Sequence, residues 1–149
     1  MTKQIKKDGR YNVLKRVETM AANEKILKAL KSAMAYLENS MLALNKKDEN
    51  SLADNVWHVA AELEYALFLF SITFQDESDK SKWKLNPKVK KVEVGPMLIA
   101  AQDLLDEAEN CMADEKLLDA YKNASIARHY ILKVQKDFAK KKREALKKK

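Results

Sequence analysis

Apolar residues recur at alternating spacings of three and four positions along four stretches of this chain. The first stretch runs Leu27, Leu30, Met34, Leu37, Met41 and Leu44. This heptad-like spacing is typical of helices that pack with nearly aligned axes. Asn23 and Glu24 just before it predict a helix start, and Tyr11–Met20 is compatible with a short extra helix. The polar stretch 46–50 predicts the loop that follows.

The second stretch is apolar over most of a helix circumference. Ser51 and Asp54 predict its start as a capping box with a short acid. One apolar stripe is expected to face the core: Leu52, Val56, Val59, Ala60, Leu63, Leu67 and Phe70. A second stripe lies beside it: Trp57, Ala61, Tyr65, Phe68 and Ile72. Such a helix lies at the centre of a bundle or against a partner, so we take Trp57, Tyr65, Phe68 and Ile72 as a candidate protein interface.

The third and fourth stretches predict a second pair of helices. Gly95 and Pro96 mark the start of the third helix, which extends to about Met112, because Pro fits the first helical turn. Asp114 is a candidate cap for the fourth helix. The predicted core stripe of the fourth helix is Leu117, Ala120, Ala124, Ala127, Ile131, Val134 and Phe138. Residues 75–94 form a charged crossover loop, whose length suits either a plain connection or a functional segment.

The two pairs of helices resemble each other in sequence. Glu38–Met41 recurs as Glu109–Met112 after 71 positions, and Leu52 and Tyr65 recur as Leu117 and Tyr130 after 65 positions. The two offsets predict a first interhelix loop six residues longer than the second (71 − 65 = 6). A repeat of this kind determines the architecture.

We therefore predict an all-α fold for one domain of 149 residues. The expected fold is an antiparallel four-helix bundle made of two repeated helical hairpins, at 11–74 and 95–139. A basic arm, 1–10, precedes the hairpins, and a polybasic tail, 140–149, follows them.

Composition favours long helices, and the sequence carries no sign of export or of a membrane span. Apolar residues make up 46% of the chain, and Gly and Pro number two each. The single Cys111 excludes an internal disulfide, and its alignment with Ser40 predicts a small buried side chain. No apolar export signal follows the N-terminus, and the longest apolar run, Tyr65–Phe74, is about half of the roughly 20 residues of a membrane span. We expect a cytoplasmic protein.

The net charge of +7 is concentrated at the ends of the chain. Residues 1–16 hold six bases and one acid, and residues 133–149 hold nine bases and two acids, whereas the helical body is acidic. Basic ends of this kind are suited to binding a polyanion. The candidate contacts are Lys82, Trp83, Lys84, Lys90 and Lys91 in the crossover loop, and Lys140, Lys141, Lys142, Arg143, Lys147, Lys148 and Lys149 in the tail.

Nucleic acid is one candidate polyanion, because Trp83 between lysines can stack a base while the ammonium groups meet phosphates. Only four of the 29 bases are Arg, however, and no nucleic-acid motif is present. Solvated charge and contact with an anionic membrane surface are the alternatives.

The titratable residues form no catalytic or metal-binding pattern. A di-iron bundle needs two Glu-x-x-His motifs, and neither second helix carries one. His58 and Glu62 are spaced for one metal, but two ligands do not make a site. The chain has no glycine-rich phosphate loop and no arrangement for a Ser or Cys nucleophile. We expect no catalysis, no metal and no cofactor.

Lys122, Asn123 and His129 provide one resemblance to an enzyme family. Ribonucleases of the small all-α HEPN family carry an Arg, a polar residue and a His about four to six residues later. Six residues separate Lys122 from His129, and Lys stands in place of the Arg. The resemblance covers about eight residues and implies a degenerate HEPN-like domain. The two other interpretations are a non-catalytic assembly module that binds itself or another protein, and a helical protein that binds RNA or DNA.

Overall fold

The computed structural model describes residues 2–73 and 93–147, with side chains from residue 21 onward. Within those ranges the chain forms four α-helices and no strand: α1 (Thr2–Asn45), α2 (Glu49–Thr73), α3 (Val94–Ala113) and α4 (Leu117–Lys147). The predicted all-helical class and the four helices are confirmed. Residues 74–92, most of the predicted crossover loop, lie outside the described residues.

The first helix is longer than predicted. It is continuous from Thr2 to Asn45, so the helix start predicted at Asn23 is wrong, and 2–10 belongs to this helix rather than to a separate arm. This part of the chain contains no Pro, and a single Gly costs a helix interior only about 1 kcal/mol. Asn23 and Glu24 therefore lie inside a helix that nothing interrupts.

Two turns of three residues each, 46–48 and 114–116, join the helices within each pair. The predicted difference of six residues between these connections is therefore wrong. Lys47 and Glu115 both adopt left-handed backbone conformations, with φ of 57° and 60°. The backbone hydrogen bonds also match: Asp48 N–H donates to the Ala43 carbonyl at 3.0 Å, and Lys116 N–H donates to the Cys111 carbonyl at 2.8 Å. Both helices end in the same kind of hydrogen-bonded turn.

Neither Ser51 nor Asp114 caps the helix start for which it is the candidate. The Asp48 carboxylate accepts a hydrogen bond from the Ser51 N–H at 3.1 Å, so Asp48 caps α2 and Ser51 does not. Asp114 follows the end of α3, and α4 begins three residues later at Leu117. A short polar side chain is a good cap only where the backbone leaves the helix, and the position of the turn decides this.

The core lies where the four helices meet. α1 packs on α2 and α3, and α4 packs on the same two helices. The largest fully buried side chains include Phe70, Ile26, Leu30, Leu37, Leu63, Leu98, Leu105 and Ile131. The stripes predicted for α2 and α4 face this core. Ala60 and Leu67 of the first and Leu117 and Phe138 of the second are partly buried, and the other members are buried. On α1 the buried face is broader than the heptad seam, because each helix packs against two neighbours.

Candidate functional site

The most unusual surface of the described structure is an apolar stripe on α2, formed by Trp57, Tyr65, Phe68 and Ile72. These side chains are 60%, 47%, 61% and 46% exposed, respectively. Their spacing places them on the face of α2 opposite the buried residues. The other exposed large apolar side chains, Leu42, Ile99 and Leu146, are single residues on three different helices. Single exposed apolar residues are ordinary, whereas a group of four on one face is a candidate contact surface.

An aromatic cluster fixes one end of this α2 stripe. The rings of Tyr36 on α1 and His58 on α2 stack with centroids 4.6 Å apart and an interplanar angle of 13°. Trp57 meets His58 edge to face at 5.2 Å. Tyr36 packs against the core, so the cluster connects Trp57 to the interior of the bundle. His58 is thus an aromatic partner of α1.

The Asp, Glu, Lys and Arg side chains on α2 are all of one sign. α2 contains Glu49, Asp54, Glu62 and Glu64 and no Lys or Arg. The neighbouring α4 contains nine bases and three acids. Glu64 forms an ion pair with the Arg128 guanidinium across the α2–α4 seam. Both side chains are partly exposed, so the pair contributes little to stability.

The basic end of α4 extends beyond the residues that pack on the core. Lys140–Arg143 and Lys147 are exposed, and Lys141 pairs with Asp137 at 3.2 Å. These five side chains are the part of the predicted polyanion site that the structure describes. Lys82, Trp83, Lys84, Lys90, Lys91, Lys148 and Lys149 lie outside the described residues.

The residues of the HEPN-like pattern lie within α4. Lys122, Asn123 and His129 are all partly buried. The Asn123 amide donates to the Asp119 carbonyl at 3.0 Å and lies 3.9 Å from the Cys111 sulfur. Asn123 is therefore part of the packing between α3 and α4. Across 21–73 and 93–147, no three His, Cys, Asp or Glu side chains group as metal ligands.

Cys111 and Glu109 on α3 have shifted acidities. Cys111 is buried, as predicted. Burial raises the pKa of its thiol, and the nearby carboxylates of Glu107 and Asp119 raise it further. The pKa of Glu109 is raised above its usual range, chiefly by partial burial and then by the charge of Asp106. Neither side chain is activated as a nucleophile or a ligand.

We expect Glu109→Gln to stabilise the protein at neutral pH. The raised pKa means that the carboxyl favours the fold when protonated, so its contribution is present below its unfolded pKa and is lost as the pH rises through its folded pKa. Urea unfolding at pH 7 should therefore show a higher free energy of unfolding for the variant. The difference should vanish near about pH 3, where the carboxyl is mostly protonated in both states. An equal gain at both pH values would contradict this.

Comparison of the chain with models of protein families, with curated proteins and with solved structures finds no match. None of the described helices is long and apolar enough to cross a membrane.

Proposed function

We propose that this chain is a non-catalytic assembly module. In this proposal the bundle consists of two similar antiparallel hairpins, the α2 stripe is buried against a protein partner, and the basic end of α4 contacts a polyanion. The exposure of four large apolar side chains on one face of α2 carries the proposal.

Interhelix contacts support the antiparallel arrangement. Glu64 lies beside Arg128, and Phe70 meets Tyr121 edge to face at 5.7 Å. Residue numbers therefore increase along α2 in the direction in which they decrease along α4, as is expected for antiparallel neighbours. A Cβ placed on Gly95 would lie 3.5 Å from Leu44, so the beginning of α3 lies beside the end of α1.

A single offset of 68 supports the similarity of the two hairpins. The ends of the first helices, Asn45 and Ala113, are 68 positions apart (113 − 45 = 68), and the two turns match at the same offset. Buried positions correspond as well, and several pairs are identical residues: Leu30 with Leu98, Ala33 with Ala101, and Leu37 with Leu105. Asn55 and Asn123 also correspond, and each amide donates to a carbonyl four residues earlier.

The same alignment indicates that the fold does not require the apolar side chains of the α2 stripe. Trp57, Tyr65, Phe68 and Ile72 correspond to Ser125, Lys133, Lys136 and Lys140 on α4. α4 packs into the bundle with polar residues at these positions, so the bundle does not require apolar ones there. Since exposed apolar area favours association, we assign the α2 stripe to an interface.

Replacing one residue of the α2 stripe tests the interface. Phe68→Glu places a charge at an exposed position, so it should leave the fold intact and abolish assembly. We expect the tagged full-length chain to elute from a sizing column as part of a complex in extracts of the cells that produce it. The Phe68→Glu variant should elute as a free monomer.

The control for this experiment is Leu42→Glu, which changes a similarly exposed apolar residue on α1, away from the α2 stripe. It should elute as the unmodified chain does. If all three proteins elute as monomers, or if Phe68→Glu remains in the complex, the assembly function is wrong.

The exposed lysines of α4 support the second part of the proposal, contact with a polyanion such as RNA or DNA. We expect micromolar binding of a labelled oligonucleotide by fluorescence anisotropy. For duplex DNA, log K should fall by about 0.9 per phosphate contact for each unit of log salt concentration. A chain ending at Ala139 lacks seven bases and should bind with a flatter salt dependence. Binding that is unchanged by this truncation would mean that the tail is not part of the proposed site.

A further inference from the structure

We propose that the partner of the α2 stripe is a second copy of this chain. The α2 stripe of one copy packs on the α4 stripe of the other, which we define as Lys122, His129, Lys133 and Lys136. This inference rests on the proposed assembly function and specifies its partner.

Charge decides which surface of the second copy is the right one. Packing α2 against α2 of the second copy would bring together two helices that each hold four acids and no base. Like charges across an interface are unfavourable, and Glu64 near the middle of the α2 stripe would meet its own copy. α4 holds nine bases and three acids, whereas 21–45 of α1, the part whose side chains the structure describes, holds three bases and two acids. The charge of α4 therefore complements that of α2 better.

The residue types of the two stripes also complement each other. Lysine side chains cover apolar surface with their hydrocarbon stems while their ammonium groups remain in water. An ammonium group near the face of Trp57, Tyr65 or Phe68 gains a cation–π attraction. The ammonium groups then also lie near Asp54 and Glu64 at the edge of the α2 stripe.

The arrangement closes as a symmetric dimer. α2 and α4 are neighbours in one copy, so each bundle presents both stripes side by side. A two-fold axis parallel to the helices places α2 on α4 of the second copy, and α4 on its α2. The two contacts are then identical, and no stripe remains open for further growth.

The register follows from the contacts within one copy. Glu64 is level with Arg128, and Phe70 is level with Tyr121. Because the numbers run in opposite directions, Trp57 is level with about residue 135. The two-fold axis then brings Trp57 to Lys136 of the second copy, and Ala61 close to its His129.

The available area is sufficient for a specific dimer. The four side chains of the α2 stripe are about half exposed, which gives roughly 100 Å² each for large apolar side chains. Two stripes supply roughly 800 Å², and the covering lysine surfaces add a similar area, so the total approaches the roughly 1,600 Å² of a standard interface.

Sedimentation velocity of the full-length chain tests the inference. We expect a monomer–dimer equilibrium that shifts toward monomer as salt is raised. Phe68→Glu and Lys136→Glu should each raise the dissociation constant at least tenfold, whereas Leu42→Glu and Lys28→Glu, on exposed positions of α1, should not. Circular dichroism of each variant checks that it is folded.

Cysteine cross-linking then distinguishes the two possible packings. On a Cys111→Ser background, Ala61→Cys and His129→Cys are prepared separately, mixed and oxidised. We expect the mixed disulfide to dominate over either self-linked product. Dominant self-linking of Ala61→Cys, with a dimer that is insensitive to Lys136→Glu, would mean α2 packs on α2 and would overturn the inference.

A chain that remains monomeric at every concentration would also overturn it. If a Phe68-dependent complex is still present in cell extracts, the assembly function stands with a different protein as partner. If neither the purified dimer nor the cellular complex exists, both proposals are wrong.

Discussion

We expect Phe70→Ala to lower the free energy of unfolding by about 3–5 kcal/mol, as truncation of a buried aromatic residue does. Phe68→Ala should change it by less than about 0.5 kcal/mol, as ordinary surface substitutions do. The two residues are of the same type and lie two positions apart in α2. Comparing the two variants therefore tests which face of α2 points into the core.

Phe70 is fully buried and Phe68 is 61% exposed. The Phe70 ring also meets the Tyr121 ring edge to face at 5.7 Å, so truncation removes a contact between α2 and α4 as well as buried area. Truncation of Phe68 removes no comparable contacts, because its side chain faces outward.

Urea unfolding followed by circular dichroism measures both changes. The protein should be dilute enough to be monomeric, since dissociation of a dimer would otherwise add to the apparent effect of Phe68→Ala. Equal losses for the two variants would mean that α2 is rotated from the orientation described. A larger loss for Phe68→Ala would remove the basis for treating the α2 stripe as a free surface.

Periodicity was sufficient to predict that four helices form and to separate the two stripes of α2. The side chains at Val59 and Leu63 recur with the helical period and are buried, whereas Trp57 and Phe68 recur on another face and are exposed. Both stripes are apolar, so hydrophobicity alone did not distinguish them.

The helix ends were harder to predict because a cap is defined by the backbone around it. Ser51 and Asp114 are suitable residues for caps, yet Asp48 caps α2, and Asp114 follows α3. The two turns depend on left-handed residues, Lys47 and Glu115, and neither is a Gly. The residue types at these two positions do not predict a left-handed backbone conformation.

The repeat was detected in the correct helices but with the wrong offsets. A slip of three residues keeps a helical side chain near its original face, since a turn has 3.6 residues. Offsets of 71 and 65 differ from 68 by three in opposite directions. Matching by apolar residue type therefore gave two offsets and a false difference between the loops, whereas the turns themselves match at 68.

The contacts around the candidate site could not be predicted from the sequence. Tyr36 and His58 stack across two helices, and Glu64 reaches Arg128 on a helix far along the chain. Such pairs depend on the rotation and register of packed helices, which a periodic pattern leaves free. The exposed α2 stripe itself required no such information, because it is a property of one helix.

Leu30→Ala and Leu98→Ala should each lower the free energy of unfolding by about 2–5 kcal/mol, the range for a buried leucine. Both residues are fully buried and correspond at the offset of 68. If the two hairpins are structural equivalents, the two losses should agree within about 1 kcal/mol, because similar surroundings leave similar cavities. Urea unfolding of each variant measures the losses.

Ile99→Ala is the matched control for Leu98→Ala, because Ile99 is the next residue of α3 and is 49% exposed. Its truncation should change the free energy by less than about 0.5 kcal/mol. Each leucine variant should also unfold in one cooperative transition, because α1 and α4 both pack on the other hairpin. A transition that splits in two, with one hairpin unfolding first, would mean that the hairpins are separate units joined by a weak contact. Unequal losses within a single transition would instead mean that one bundle is built from hairpins with different cores.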